Sequence, residues 1–481
     1  MLRSLFSRVS LLIMFVGVSQ GRAFSLLGPY AIKGGTVWQV QRLGYNLPGD
    51  IGGPMNVAAG EEYRWNVKNV YYTYDRAFLD FFGTRGLQEV EKAIQILNNL
   101  PPASALNVDD YPMTTERINY QAGALGLIDL KSVALGVTLE EMGLADSERW
   151  VFCLRNRYVP GPGPFPVFYT VIRRNFDPVT AAESPYINGR LWTYTDIIQL
   201  DPVRAWSYTF NSPVDPLDFG RFDPVATVGG QFSGFGYGSF FTGLTRDDAA
   251  AIKYMLRPDN RNFEAALPGS TNAGFTFTGG GGGGPWTIPT TNVVVPPGTV
   301  AANGLIDPAY RSGVDKLNFV RVDPSAFDPL TGTFFVPISD VYTETVMTNG
   351  VAVQQSVQRV VIAPDILYTA ADLNLAAEPG LIPGNFWART VTDPWPNNGT
   401  ALHAGPGVIV PTIQITFNNV GFITIEEALS SDEVFNVFGV NAFPIFIYGA
   451  FDGTTNAPVI FSQGGNITIQ QLEQLALGGI P

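Results

Sequence analysis

Histidine and cysteine, which most often act as base, nucleophile or metal ligand near neutral pH, occur once each in the 481 residues. His403 lies in the loop-like run Ala401-Leu402-His403-Ala404-Gly405-Pro406. It reads as a surface-loop residue, with no nucleophile in a recognisable elbow context to complete a Ser-His-Asp or Cys-His arrangement. Cys153 sits within Trp150-Val151-Phe152-Cys153-Leu154, apolar company that favours an inert, buried thiol, and a lone cysteine closes no disulfide within the chain. Carboxylates remain. Adjacent acids occur at Asp109-Asp110, Glu140-Glu141 and Asp247-Asp248; neighbours on one strand or helix diverge and are expected to be solvated, unlike the facing pair that glycoside hydrolysis needs. Asp-Pro steps such as those at Asp177, Asp323 and Asp328 are expected to cap turns. The glycine run Gly279 to Gly284 is followed by Pro285-Trp286 rather than by a Lys-led helix, so it is not read as a phosphate cradle.

One segment has a denser pattern. From Asp129-Leu130 through Val133-Ala134 to Gly143 and Asp146, the chain resembles the active-site helix of matrixin-like metzincin peptidases. In that family a D-L-x-x-V-A lead-in runs into H-E-x-x-H-x-x-G-x-x-H. Two histidines one turn apart and a third beyond the glycine hold zinc, and the glutamate polarises the bound water. Here the corresponding positions read Gly136, Val137, Glu140, Gly143 and Asp146. The framework residues match and the chemical ones are replaced. No methionine lies between Met142 and Met255, so the family's methionine turn is missing as well. Two further pieces fit the resemblance in order: a strand at Val70 to Tyr74 followed by a helix, and Gly243-Leu244-Thr245-Arg246-Asp247-Asp248 opening a closing helix. The resemblance implies a pseudopeptidase with no catalytic residue, metal or cofactor. It would act as a binding or cell-envelope structural protein. Two alternatives stand beside it: a hydrolase using Glu140 and Asp146 in a degenerate cleft, and a purely structural surface protein whose helix resembles the peptidase by chance.

The elements that would position these residues are legible in patches. Leu87, Val90, Ala93, Ile94 and Leu97 fall at helical spacing, with a stop at Pro101-Pro102. Asp129 is a good N-cap for a broadly apolar helix that ends at Gly143, and Thr245 with Asp248 forms a capping-box pair for a helix running to Leu256. Strands are expected at 168–173 and 191–198, the second after the turn signal Asn188-Gly189. Others are expected at 317–322, 408–417 and 444–448, with a hairpin of 341–347 and 351–361 about Asn349-Gly350.

Arg3 and Arg8 precede the uncharged run Val9 to Val18, the layout of a secretory signal. That run is much shorter than the roughly 20 residues of a spanning helix. Cleavage after Gly21 or Ala23 fits, which places the protein outside the cell, in a periplasm or on the cell surface. Export without disulfides fits a bacterial cell. The net charge of −13 deepens once Arg3, Arg8 and Arg22 are removed, and such a surface repels phosphate backbones. Nucleic acid is therefore not expected as a partner; an unknown protein or envelope polymer is. The expected organisation is a signal peptide at 1–23, a metzincin-like α+β domain at 24–262, a Gly/Pro-rich linker or mobile loop at 263–308, and a mainly β, sandwich-like domain at 309–481.

Overall fold

The aromatic and β-branched segment Asn69–Tyr74 forms the strand its composition predicts. In the computed structural model this strand lies inside a four-stranded parallel sheet, between Asn318–Arg321 and Ile366–Thr369, with Ile413–Thr416 beyond. The structure describes residues 23–28, 53–54, 62–158, 167–193, 196–199, 205–208, 223–226, 236–273, 300, 303–348, 350–370, 373, 390–392, 407–417, 447–462 and 465–467. The signal-like segment up to Arg22, His403 and the Gly279 to Gly284 run lie outside them.

Helix Arg76–Asn98 leaves the 69–74 strand directly, because the Asp75 carboxylate accepts the Phe78 N–H at 2.8 Å and caps it. Gly83, at φ 63°, kinks the helix, and the stripe beyond it (Val90, Ala93, Ile94, Leu97) is buried. Helix and strand are joined by more than apolar contact. The Tyr72 and Tyr74 hydroxyls both donate to Glu91 Oε1, each at 2.9 Å, while Tyr368 stacks on Tyr74 at 5.4 Å. Phe82 meets Phe417 and Phe461 edge-on, so the helix covers residues drawn from the far end of the chain.

The mixed α+β character expected for the first half is present, but the 263–308 segment does not divide the sheets. Three of the four parallel strands come from beyond residue 309 and bracket or extend a strand from the first half. One continuous core holds Phe24 and Trp65 together with Ile413 and Phe461. A self-contained sandwich at 309–481 is therefore not formed by these strands: each parallel neighbour hydrogen-bonds to the next, and the 69–74 strand completes the set. The borders of the expected linker are also ordered. Arg261–Glu264 and Thr271–Asn272 are strands of a five-stranded antiparallel sheet, with Ala309–Ser312, Ile338–Thr348 and Val351–Val361 between them.

Two fully buried arginines tie that sheet to the first half. Arg64 Nε lies 2.6 Å from Glu264 Oε1, and its other nitrogens donate to the carbonyls of Met255, Asn260 and Arg311. Arg311 in turn pairs with Glu344 at 3.1 Å and donates to the Glu264 carbonyl. Burial raises the Glu264 carboxyl above its ordinary range, and the Arg64 charge opposes that rise.

Several expected elements take a modified form. The 408–417 run divides into Gly407–Val410 and Ile413–Thr416 around Pro411, which has no N–H to give a ladder. The 191–198 run also divides: Arg190–Leu191 closes a tight hairpin with Tyr186–Ile187 through Asn188 and Gly189, at φ 43° and 79°, and Asp196–Gln199 pairs with Ala205–Tyr208. The long hairpin forms as Ile338–Thr348 and Val351–Val361 in unbroken register. Asp177, Asp323 and Asp328 cap turns as expected, each accepting the N–H two residues on. Among the described residues no helix is long and apolar enough to cross a membrane.

Candidate functional site

The helix of the motif spans Leu130–Met142 and follows the short strand Leu127–Asp129 without a break. Asp129 fixes its start. One carboxylate oxygen accepts the Ser132 N–H at 3.0 Å and its hydroxyl at 2.5 Å, and Ser132 Oγ accepts the Phe241 N–H at 2.8 Å. Burial lifts the Asp129 carboxyl to about 6 despite the opposing pull of Lys131 and Ser132.

Gly143 ends the helix at φ 114°, a conformation that suits glycine, and a Cβ there would stand 2.3 Å from the Tyr63 carbonyl oxygen. Its N–H returns to the Glu140 carbonyl, and its own carbonyl accepts the Leu27 N–H at 2.7 Å. The glycine of the pattern thus has two local reasons to exist that do not involve a metal.

The replaced positions are sealed. Gly136, Val137, Glu140, Gly143 and Asp146 are all buried, with Val137 at 1 % exposure inside the main core, Glu140 at 5 % and Asp146 at 8 %. Thr138, the next residue, turns its hydroxyl to the Ala134 carbonyl at 2.7 Å and to the Tyr368 hydroxyl at 2.8 Å, fastening the helix to the parallel sheet. Trp65 Nε1 donates to the Glu141 carbonyl at 3.0 Å from another side. Asp146 Oδ1 accepts the Glu148 N–H at 2.9 Å, a turn-capping role at the start of the short helix Ser147–Trp150. Among the described residues no three His, Cys, Asp or Glu side chains gather as a metal-ion ligand set would. Cys153 is buried and donates to the Trp150 carbonyl at 3.4 Å, in keeping with an inert thiol.

Two of the three acid pairs depart from the expected solvation. Asp109 and Asp110 are exposed, whereas Glu140-Glu141 and Asp247-Asp248 are buried. The physical reason is plain for the last pair. Asp248 closes the capping box of helix Arg246–Leu256 by accepting the Thr245 N–H at 2.9 Å, and it also accepts the N–H groups of Val225 and Ala226. Asp247 accepts the N–H of Asn188 at 2.6 Å and that of Ala23 at 3.2 Å. Burial drives its carboxyl up to about 8, the two N–H groups opposing. These acids hold loops to the closing helix. For Asp248 the capping pattern is the signal, since an N3 acid can accept a backbone donor at the helix N-terminus; Asp247 has no such signal.

Comparison with protein-family models, curated proteins and solved structures finds no match to this chain.

Proposed function

We propose that the protein is an exported pseudopeptidase, a metzincin-like scaffold that binds a protein or envelope polymer and does not hydrolyse it. The observation that carries this reading is Val137. It occupies the position of the family's general base, and at 1 % exposure it lies in the apolar core, where burial of a valine stabilises by roughly 2 kcal/mol. A carboxylate there would have to be desolvated without a partner. The sealed surroundings of Glu140 and Asp146 likewise favour a scaffold over an acidic hydrolytic cleft, which needs solvent and substrate to reach both groups. Export is supported by Arg3, Arg8 and the uncharged Val9 to Val18 run.

The deciding experiment is metal analysis of the purified chain together with a peptide-hydrolysis screen in the presence and absence of added zinc. The expected result is no stoichiometric zinc and no zinc-dependent cleavage. About one tightly held zinc per chain, or cleavage abolished by a chelator and restored by zinc, overturns the reading.

A further inference from the structure

Residues 23–28 are drawn into the core. Ala23, Phe24 and Leu26 are fully buried, and Phe24 stacks on Tyr254 of the 246–256 helix at 4.7 Å. The Phe24 backbone exchanges hydrogen bonds with Phe176 at 2.9 and 2.8 Å. The Leu27 N–H donates to the Gly143 carbonyl, and the Ser25 carbonyl accepts the Ala145 N–H, both just beyond the 130–142 helix. These bonds fix the path of the segment, and the path brings the Ala23 backbone nitrogen to Asp247.

Asp247 is 1 % exposed, and both of its oxygens act as acceptors: Oδ1 takes the Ala23 N–H at 3.2 Å and Oδ2 the Asn188 N–H at 2.6 Å. That pattern suits the ionised form, because a protonated carboxyl needs an acceptor for its O–H, and among the described residues Asp247 meets none. The charge has no counter-ion there either. The neighbouring Arg246 turns its Nε to the Tyr111 carbonyl at 3.4 Å, and Asp248, fastened to Thr245, Val225 and Ala226, adds a second acid. Burial of a carboxylate answered only by neutral N–H groups is costly.

Processing of an exported chain changes the chemistry beside this carboxylate. Hydrolysis of the Gly21–Arg22 peptide bond adds one water, leaving a carboxyl on Gly21 and an amine on Arg22 that is protonated at neutral pH. The new α-ammonium and the Arg22 guanidinium then belong to the residue joined directly to the Ala23 nitrogen, and successive Cα atoms are about 3.8 Å apart. Cleavage after Ala23, the other position that follows a small residue, would instead remove the N–H that Oδ1 accepts. The next nitrogen, that of Phe24, is already turned to the Phe176 carbonyl. The two cleavage positions that the sequence leaves open are thus unequal once the chain has folded.

We propose that the signal segment is cut after Gly21, and that the positive terminus created at Arg22 is the counter-ion of buried Asp247, fastening the mature N-terminus to the 246–256 helix. The inference rests on the export part of the reading above and not on the pseudopeptidase part: zinc-dependent cleavage of peptides would leave it intact.

The test has two parts. The full chain is expressed with its own leader in a bacterial host, and the first residue of the purified protein is read by N-terminal sequencing. Arg22 is expected. An exported chain that begins at Phe24, or at any other residue, overturns this proposal and leaves export standing; an uncut chain overturns both. Thermal unfolding at neutral pH then compares the chain beginning at Arg22 with an Arg22→Gln chain lengthened by a Gly-Ser-Gly-Ser extension, which takes both positive charges away from Asp247. The lengthened chain should melt at least about 3 °C lower. In an Asp247→Asn background the two should melt together, because the charges no longer have a partner. Equal melting of the two chains with Asp247 present, or a difference that persists in Asp247→Asn, overturns the proposal. The sequencing and the first melting comparison stand without the Asp247→Asn variant.

Discussion

The 130–142 helix and the 246–256 helix make an instructive pair. The first has the one dense motif in the sequence, yet its Val137 and Glu140, and Asp146 just beyond it, are buried, and its Thr138 hydroxyl is engaged in a cross-link to Tyr368. The second carries only a capping box, and its buried acids Asp247 and Asp248 accept the N–H groups of Ala23, Asn188, Val225 and Ala226. A motif locates an element; solvent access and unmatched polar groups decide whether the element retains any chemistry. Each of the following outcomes would break or sharpen that contrast.

The largest effect is expected from installing the metzincin pattern on the 130–142 helix. Gly136→His, Val137→Glu and Glu140→His together place ionisable groups against an apolar core, and should cost more than about 5 kcal/mol in the absence of metal. Thermal unfolding with and without zinc reads this out. Unchanged stability without metal would mean that the helix is not sealed, and the contrast would fail. Partial recovery by zinc would support the proposed metzincin-like geometry of this helix.

Next comes the buried pairing of Arg64 with Glu264, which ties the five-stranded sheet to the first half. Arg64→Ala leaves Glu264 without its partner inside the core, and a loss of about 3–5 kcal/mol is expected in urea unfolding. The double change Arg64→Met with Glu264→Leu should recover much of that, because no lone charge remains. A mild effect of Arg64→Ala would show that water reaches Glu264.

The pH dependence of stability provides a third reading. Burial holds the folded Asp129 carboxyl at about 6, above its ordinary value of 3.8. The folded state thus binds this proton more tightly than the unfolded chain does. Its contribution is complete below about 4 and is lost as the pH rises through about 6, amounting to about 3 kcal/mol at most. Asp129→Asn should flatten the stability profile between those limits, measured by urea midpoints at several pH values. An unaltered slope would assign the dependence to other groups.

Smaller still, Thr138→Val should cost about 1 kcal/mol, since it leaves the buried Tyr368 hydroxyl unbonded.

How much of this was legible depended on distance along the chain. Local signals served well: Asp75 and Asp129 as caps, the Thr245 and Asp248 pair, Gly143 as a left-handed terminator, and the long hairpin can each be read from a few neighbouring residues. Long-range pairing could not be read. Nothing in the 318–321 or 366–369 segments announces that they flank residues 69–74, because a parallel strand bears no mark of its partner. The Asp247-Asp248 pair looked solvated because pattern alone does not reveal which loops present N–H groups to it.

The position of the 69–74 strand also sets a timetable. Its contacts on the two sides span 249 residues, from Asn69 to Asn318, and 294 residues, from Tyr71 to Asp365. During synthesis this aromatic strand emerges early and must wait with both edges open until most of the chain has followed. Folding that depends on such distant closures is slow, and an unpaired hydrophobic strand is prone to join other chains in the meantime. Truncation before residue 318 should therefore give an aggregating fragment rather than a smaller folded protein, and a holding chaperone acting between emergence and closure would raise the yield of the intact chain.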